Sequence, residues 1–127
     1  MSLKIIVKGK VKGKIMKTLN PINFLGAVDK KTGIIHDDKH DKFQKSIKGV
    51  ILVFPYGIGS SVGAYTIYSL KKNGSAPLAM ICTKADLSVA SGCALANIPM
   101  VIVSNLEFDS LNDGNEIELD AEVGKIL

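Results

Sequence analysis

The chain has 127 residues, of which 46% are hydrophobic and 22% are charged, as in ordinary globular proteins and unlike disordered or fibrous ones. No apolar run reaches the roughly 18 residues of a membrane span, and the lysine-rich N-terminus lacks the apolar core of a signal peptide, so we expect one domain over residues 1–127, in the cytoplasm and without a membrane partner. The net charge of +4 includes sixteen lysines and no arginine, the residue that dominates nucleic-acid recognition, which argues against a nucleic-acid partner.

Lysines alternate with apolar residues at the start of the chain. This period of two predicts two strands within the first 17 residues, joined around Gly9 or Gly13. A basic stripe that binds RNA or a membrane surface would contain interleaved aromatic residues, and this segment has none. We therefore expect the lysines to cover one solvated face of the sheet: Lys4, Lys8, Lys10, Lys12, Lys14 and Lys17.

Two loop-like segments follow. Residues 18–33 contain an Asn-Pro pair and a closing turn signature, and their apolar residues Ile22, Phe24 and Leu25 are expected to be buried, either as core closure or in an element that faces a ligand or partner. Residues 36–45 are the most polar part of the chain. Spacings there are compatible with a metal clamp, but no apolar neighbours would hold it, and a solvated, mobile turn is favoured. The clamp would consist of His36, Asp37, His40 and Asp41.

The second half alternates apolar strands with helices. A helix is predicted over about residues 61 to 72, with a mostly buried face. That face would contain Val62, Tyr65, Ile67, Tyr68 and Leu70. The other predicted elements are buried strands over 50–54, 78–82 and 99–103, a helix of small residues over 87–96, and an exposed-face strand over 115–120. This order of elements indicates the mixed α/β class.

The most informative segment is the glycine- and serine-rich turn that joins the first of these apolar runs to the helix. Gly57 and Gly59 allow a tight turn and close approach of a ligand, and Ser60 or Ser61 falls where a helix N-cap is expected. Free N–H groups and the positive dipole end of the helix favour negative charge. A serine there caps the helix, binds a carboxylate or phosphate, or has its own alkoxide stabilised, and the spacing alone favours the cap.

Three separated segments, residues 20–33, 53–63 and 89–101, together resemble the aconitase X swivel domain family over residues 3 to about 105. The resemblance implies a swivelling β/β/α domain, as in the aconitase swivel domain. It also implies half of a hydro-lyase, active only with a large subunit that holds a [4Fe–4S] cluster whose open iron takes the substrate hydroxyl. The implied reaction converts a small phosphorylated hydroxy acid, (R)-5-phosphomevalonate, to trans-anhydromevalonate 5-phosphate in the archaeal mevalonate route to isoprenoids.

The resemblance also implies roles for individual residues. Ser60 matches the aconitase serine that removes the substrate proton, while Gly59 and Ser61 would bind a substrate oxygen. Lys84 follows a predicted strand and is positioned to reach the same edge, unless it is only an exposed lysine at a strand end. No metal ligand is expected, because a cluster needs about three or four thiolates. The chain has two cysteines, Cys82 and Cys93, both expected to be buried thiols.

Two positions depart from the family pattern and leave alternatives open. Val62 stands where aconitases have a carboxylate-binding arginine, and Ile58 stands where relatives have an arginine between the two glycines. The contacts to the substrate's carboxylate and phosphate would therefore lie elsewhere. The alternatives are a dehydratase subunit for another hydroxy acid, such as a hydroxyproline derivative, and a non-catalytic regulatory subunit that binds an anionic ligand.

Overall fold

The computed structural model describes residues 3–127, which form seven strands and four helices. The strands are β1 (Lys4–Val7), β2 (Lys10–Lys17), β3 (Ile51–Val53), β4 (Ala79–Cys82), β5 (Met100–Ile102), β6 (Glu116–Asp120) and β7 (Lys125–Ile126). The helices are α1 (Phe24–Ala27), α2 (Gly63–Lys72), α3 (Leu87–Ala96) and α4 (Asn105–Ser110). None of the helices in this described range is long and apolar enough to cross a membrane.

All seven strands form one sheet, in the order β1-β5-β4-β3-β2-β6-β7. Strands β2, β3, β4 and β5 are parallel to one another, whereas β1, β6 and β7 are antiparallel to the strands beside them. The predicted mixed α/β class is therefore confirmed. Because the carboxyl ends of parallel strands meet at one edge of a sheet, the loops after β2, β3 and β4 lie together. We call this the carboxyl edge.

The core has two layers, one on each face of the sheet. Alternation along β3 directs Leu52 toward the layer of α2 and α3, and directs Ile51 and Val53 toward Phe108 and Leu119 on the other face. All three β3 residues are fully buried, as expected for a strand inside a parallel group. Each such side chain stabilises the fold by about 1.5–3 kcal/mol. The strand that leads into the glycine- and serine-rich turn is therefore anchored by buried side chains on both faces of the sheet.

The prediction for the N-terminal lysines is confirmed except at one position. Strands β1 and β2 are joined at Gly9, where φ is 154° and a Cβ would lie 2.3 Å from Pro99 Cγ, so only glycine fits. The two strands occupy different parts of the sheet, because β1 pairs with β5 and β2 pairs with β3 and β6. Lys17 is not on a solvated face: its Nζ donates to the carbonyl groups of Phe108 and Leu111, each at 2.7 Å. It satisfies the C-terminal end of α4.

The predicted buried face of α2 is wrong at Val62, which is 48% exposed and precedes the helix, and at both tyrosines. Tyr65 and Tyr68 are 65% and 40% exposed, while the side of the helix that carries Ala64 and Ile67 faces the core. The reason is the close packing of α2 on α3: a Cβ at Gly92 would lie 2.7 Å from Ile67 Cδ1 and 3.2 Å from Ala64 Cα. The helices approach this closely because residue 92 is a glycine and residue 64 is an alanine, so the side of α2 that carries the tyrosines is directed outward. Helix α3 itself has the predicted bounds.

The segments between the main elements differ from expectation in several places. Ile22 and Phe24 are buried as predicted, but Leu25 is 49% exposed. Two short helices, α1 and α4, were not predicted. Helix α4 begins with a capping box in which Ser104 and Glu107 each accept the other's backbone N–H. A serine followed three residues later by a glutamate is the sequence signal for this helix.

The polar segment over residues 36–45 is a series of turns, but it is not solvated throughout. His40 is only 8% exposed, and its Nδ1 accepts the N–H of Lys42 at 3.0 Å. The neighbouring Asp41 accepts a hydrogen bond of 2.5 Å from the buried Thr18 hydroxyl at the end of β2. The contact with Thr18 attaches the turn to the sheet. Because His40 is buried beside it, the prediction of a solvated turn is wrong at that residue.

Candidate functional site at the carboxyl edge

The glycine- and serine-rich turn, residues 54–62 between β3 and α2, lies at the carboxyl edge, and we call it the serine loop. Its first half is held by the segment that follows β2. The N–H of Ile22 donates to the Tyr56 carbonyl at 3.2 Å, and the N–H of Ile58 donates to the Ile22 carbonyl at 2.9 Å. These bonds make a parallel bridge between Ile22 and Gly57. The loop is therefore fixed at its base, while residues 58–62 are exposed.

Ser60 and Ser61 are both exposed at the tip of this loop. Ser60 Oγ accepts the Val62 N–H at 3.1 Å, and the Ser60 carbonyl accepts the Gly63 N–H at 2.9 Å. The N-cap position of α2 is Val62, which makes no side-chain cap, so the prediction that a serine occupies that position is wrong. Ser60 instead closes the turn that precedes the helix. Its hydroxyl hydrogen is not used by this contact.

Three successive backbone N–H groups are available beside these hydroxyls. Within the described residues, the N–H groups of Gly59, Ser60 and Ser61 donate to no other group of the protein. They lie just before Val62, the N-cap of α2, and the positive dipole end of this helix stabilises a nearby anion by about 0.3–1 kcal/mol. Free N–H groups before a helix are well suited to hold a carboxylate or phosphate oxygen.

Asn23 supports the serine loop from one side. A Cβ at Gly59, where φ is 91°, would lie 2.7 Å from Asn23 Oδ1 and 3.0 Å from its Nδ2. The orientation of this amide is fixed because Oδ1 accepts the Gly26 N–H at 3.0 Å, which caps α1. The sequence analysis did not identify Asn23. Its capping position before α1 was the signal that could have revealed it.

Lys84 lies beside the serine loop, at the edge where it was predicted. It is exposed, and its Nζ lies 5.0 Å from the centre of the Tyr56 ring, which is a cation–π distance. The neighbouring Thr83 N–H donates to the Pro55 carbonyl at 2.9 Å, so the β4 loop and the serine loop are joined by backbone contacts. A role for Lys84 in binding substrate stays a prediction.

Asp86, also missed from the sequence, joins the serine loop to α3. Its carboxylate accepts the Gly57 N–H at 2.8 Å and, as the N-cap of α3, the Val89 N–H at 3.2 Å. The Ser88 hydroxyl donates to the same carboxylate at 2.6 Å. An aspartate directly before a predicted helix is an N-cap signal, but its second bond, to a residue 29 positions earlier, is visible only in the structure.

Several large apolar side chains are exposed on the loops and helix ends of this edge. Exposed apolar groups gathered around polar ones are typical of interaction surfaces. Their exposed fractions range from 46% to 71%. They are Leu19, Leu25, Ile58, Val62, Tyr65 and Leu87. We call this set the apolar rim.

The cysteine side chains do not fit an iron–sulfur cluster. Cys82 and Cys93 are both fully buried, as predicted. Burial raises the pKa of the Cys82 thiol well above its usual range, and burial together with the charge of Asp86 raises the pKa of Cys93 to about 12. A cluster is bound by thiolates. Across residues 3–127, no three His, Cys, Asp or Glu side chains converge to hold a metal ion.

These thiols lead to a prediction about chemical labelling. At pH 8 a thiol with a pKa of about 12 has a thiolate fraction about a thousandfold smaller than an unfolded cysteine, so Cys93 should resist a disulfide reagent in the native chain and react rapidly in urea. Because the raised pKa lets the native thiols keep their protons to higher pH than unfolded cysteines do, the free energy of unfolding should fall as pH rises above about 8.5. Labelling with a chromogenic disulfide reagent checks the first expectation, which rapid labelling of the folded chain would contradict. Urea unfolding measured below and above about pH 8.5 checks the second.

The sequence profile of the aconitase X swivel domain matches residues 1–127. The chain belongs to the aconitase X swivel domain family, as the resemblance predicted. The structure is also similar to the crystal structure of Thermococcus kodakaraensis aconitase X in its holo form, with a TM-score of 0.91 and 41% identity, covering 99% of this chain and 97% of that one. The expected swivelling β/β/α fold is thereby confirmed.

Two archaeal relatives are similar over nearly the whole chain. The phosphomevalonate dehydratase small subunit of Methanosarcina acetivorans is 44% identical over 122 residues, which is 95% of this chain and 85% of the relative. The protein of the same name from Methanothermobacter thermautotrophicus is 41% identical over 124 residues, covering 97% of this chain and 95% of the relative. Each of these names describes a subunit of a larger enzyme.

Proposed function

We propose that this chain is the small subunit of a phosphomevalonate dehydratase, a hydro-lyase that converts (R)-5-phosphomevalonate to trans-anhydromevalonate 5-phosphate. The observation that carries the proposal is the identity of 41–44% with relatives of that name over 95% or more of this chain. The chain would act in the cytoplasm, where thiols such as Cys82 and Cys93 remain reduced.

In this proposal the iron–sulfur cluster that the aconitase relationship implies belongs to a large partner subunit. The two buried, protonated thiols of this chain do not supply a set of cluster ligands. The contribution of this chain is instead the serine loop, which carries hydroxyl and N–H groups at an exposed edge. A chain that contributes part of an active site must present that part to its partner.

Ser60 is proposed as the base that accepts the substrate proton. Its Oγ already accepts the Val62 N–H, which holds the oxygen in place and favours its charged form. The dipole of α2 contributes at most about 2 kcal/mol, a little more than one pKa unit. This is too little to form an alkoxide at neutral pH. The remaining stabilisation would come from exclusion of water and from charges of the partner when the complex closes.

Ser61 and Lys84 are proposed to bind the anionic substrate. The Ser61 hydroxyl and the free N–H groups of Gly59 and Ser61 would hold one substrate oxygen. Lys84 would offer a positive charge from the neighbouring loop, where it now rests against Tyr56. These contacts would bind negative charge in place of two arginines, the one that aconitases have at the position of Val62 and the one that relatives have at the position of Ile58.

The proposal is tested first by separating the subunits. The isolated chain should show no dehydratase activity and remain colourless after anaerobic treatment with iron and sulfide, because it lacks the cluster ligands. Addition of a cluster-containing large subunit should produce activity toward (R)-5-phosphomevalonate. Turnover by the isolated chain, or a broad cluster absorbance in it, would contradict the proposal.

Binding of the large subunit should also slow amide hydrogen exchange in segments of the apolar rim. We expect slower amide hydrogen exchange at residues 22–25 and 57–63 when the large subunit is present, because these segments carry exposed apolar groups beside the serines. The β6–β7 turn, residues 121–124, is the internal control, since Asp120 pairs with Lys10 at the opposite end of β2. Unchanged exchange in both loop segments would show that the large subunit binds elsewhere.

A further inference from the structure

The carboxylate of Asp86 is shared between two elements that meet at the serine loop. One oxygen, Oδ1, accepts the Gly57 N–H at 2.8 Å, while Oδ2 accepts the Val89 N–H at 3.2 Å and the Ser88 hydroxyl at 2.6 Å. Both oxygens are thus occupied by groups with fixed positions. Hydrogen bonds to an ionised carboxylate are shorter and stronger than neutral ones. The first glycine of the serine loop is therefore tied to the N-terminus of α3.

Packing reinforces this attachment. A Cβ at Gly57 would lie 2.6 Å from Val89 Cγ2 and 2.8 Å from Asp86 Oδ2, so the loop backbone rests directly on the helix end. Gly57 is buried, whereas every residue from Ile58 to Val62 is exposed. The Asp86 contact therefore anchors the loop to α3, while the bond from the Ile58 N–H to the Ile22 carbonyl anchors it to the segment after β2.

We propose that Asp86 is a positioning residue for Ser60, acting through the Gly57 peptide, in addition to capping α3. The inference rests on the proposed role of Ser60 as the base. A misplacement of about 1 Å can lower turnover by about a hundredfold, and Gly57 lies three residues before Ser60. Loss of the anchor would move the hydroxyl without removing it.

The test replaces Asp86 in the reconstituted complex. For Asp86→Ala we expect kcat to fall by about a hundredfold with KM changed less than about threefold, because a base acts mainly in the transition state. For Asp86→Asn, kcat should lie between the wild-type and Asp86→Ala values, since the amide keeps only one of the two oxygens that accept the Gly57 and Val89 N–H groups. A residue that only caps a helix would lower the melting temperature and leave kcat unchanged.

Asp120→Ala is the matched control for Asp86→Ala. Asp120 also accepts two backbone N–H groups through its carboxylate, from Glu122 at 3.0 Å and Val123 at 3.2 Å, but it lies at the end of the sheet opposite the serine loop. This variant should lose comparable stability and keep wild-type kcat. A similar fall in kcat for Asp120→Ala and Asp86→Ala would show that stability alone sets turnover, and would overturn the inference.

A second measurement is independent of activity. In the isolated chain, Asp86→Ala should accelerate hydrogen exchange of the Gly57 amide by at least about tenfold while core amides of β3 are unchanged. Wild-type kcat in both Asp86 variants, with turnover lost in Ser60→Ala, would refute the positioning role alone. Wild-type kcat in Ser60→Ala would refute the proposed base, and the positioning role with it.

Discussion

Replacing Ser60 with alanine should lower the turnover of the reconstituted complex by roughly a thousandfold or more, because it removes the proposed proton acceptor. The structural cost of the change is small. Ser60 Oγ makes one local bond, to the Val62 N–H at an exposed site, and loss of such a bond costs about 0.5–2 kcal/mol. Steady-state kinetics and the melting temperature, measured on the same preparation, separate the two effects.

Ser61→Ala is the neighbouring control for this experiment. Ser61 is also exposed, and its hydroxyl is proposed to bind substrate in both the ground state and the transition state. Its loss should therefore raise KM more than it lowers kcat. A Ser60→Ala complex that turns over near the wild-type rate would show that this serine only closes the turn before α2, and that the base lies in the other subunit.

Gly59→Ala should lower turnover by about a hundredfold through displacement of the serine loop. The φ of 91° at this position disfavours any L side chain, and a Cβ would lie 2.7 Å from Asn23 Oδ1. Asn23 cannot move away freely, because the same oxygen accepts the Gly26 N–H. The loop must therefore shift. Steady-state kinetics of the complex, with hydrogen exchange across residues 57–63, measures both the functional loss and the shift.

Gly49→Ala separates this clash from backbone strain. Gly49 also has a positive φ, of 71°, but a Cβ there would have no atom within 4 Å, and the residue lies just before β3, at the opposite end of that strand from the serine loop. The variant should lose about 1 kcal/mol of stability and keep wild-type turnover. Equal losses of turnover in the two variants would mean that strain alone, and not contact with Asn23, explains the effect.

Much of the architecture follows from local patterns. The apolar run before the serine loop, the small-residue helix over 87–96 and the strand over 99–103 were all predicted from spacing and turn residues, because those signals depend on neighbours a few positions away. The glycines at 57 and 59 were recognised for the same reason. A single domain over residues 1–127 stays a prediction, as does the role of each proposed site residue.

The contacts that hold the serine loop were decided only by the tertiary structure. Asp86 reaches Gly57, and Asn23 reaches Gly59, because β2, β3 and β4 are parallel neighbours whose loops meet at one edge. Such pairings connect positions about thirty residues apart and leave no periodic trace in the sequence.

The sequence by itself determined the types of the longer elements, the position of the serine loop and the family. The structure decided which sides of those elements are exposed: Tyr65 and Tyr68 face outward because α2 packs tightly on Gly92, and Lys17 is withdrawn from solvent by the end of α4. Local propensity and periodicity fix what a segment becomes, whereas close packing between distant segments fixes where each side chain lies.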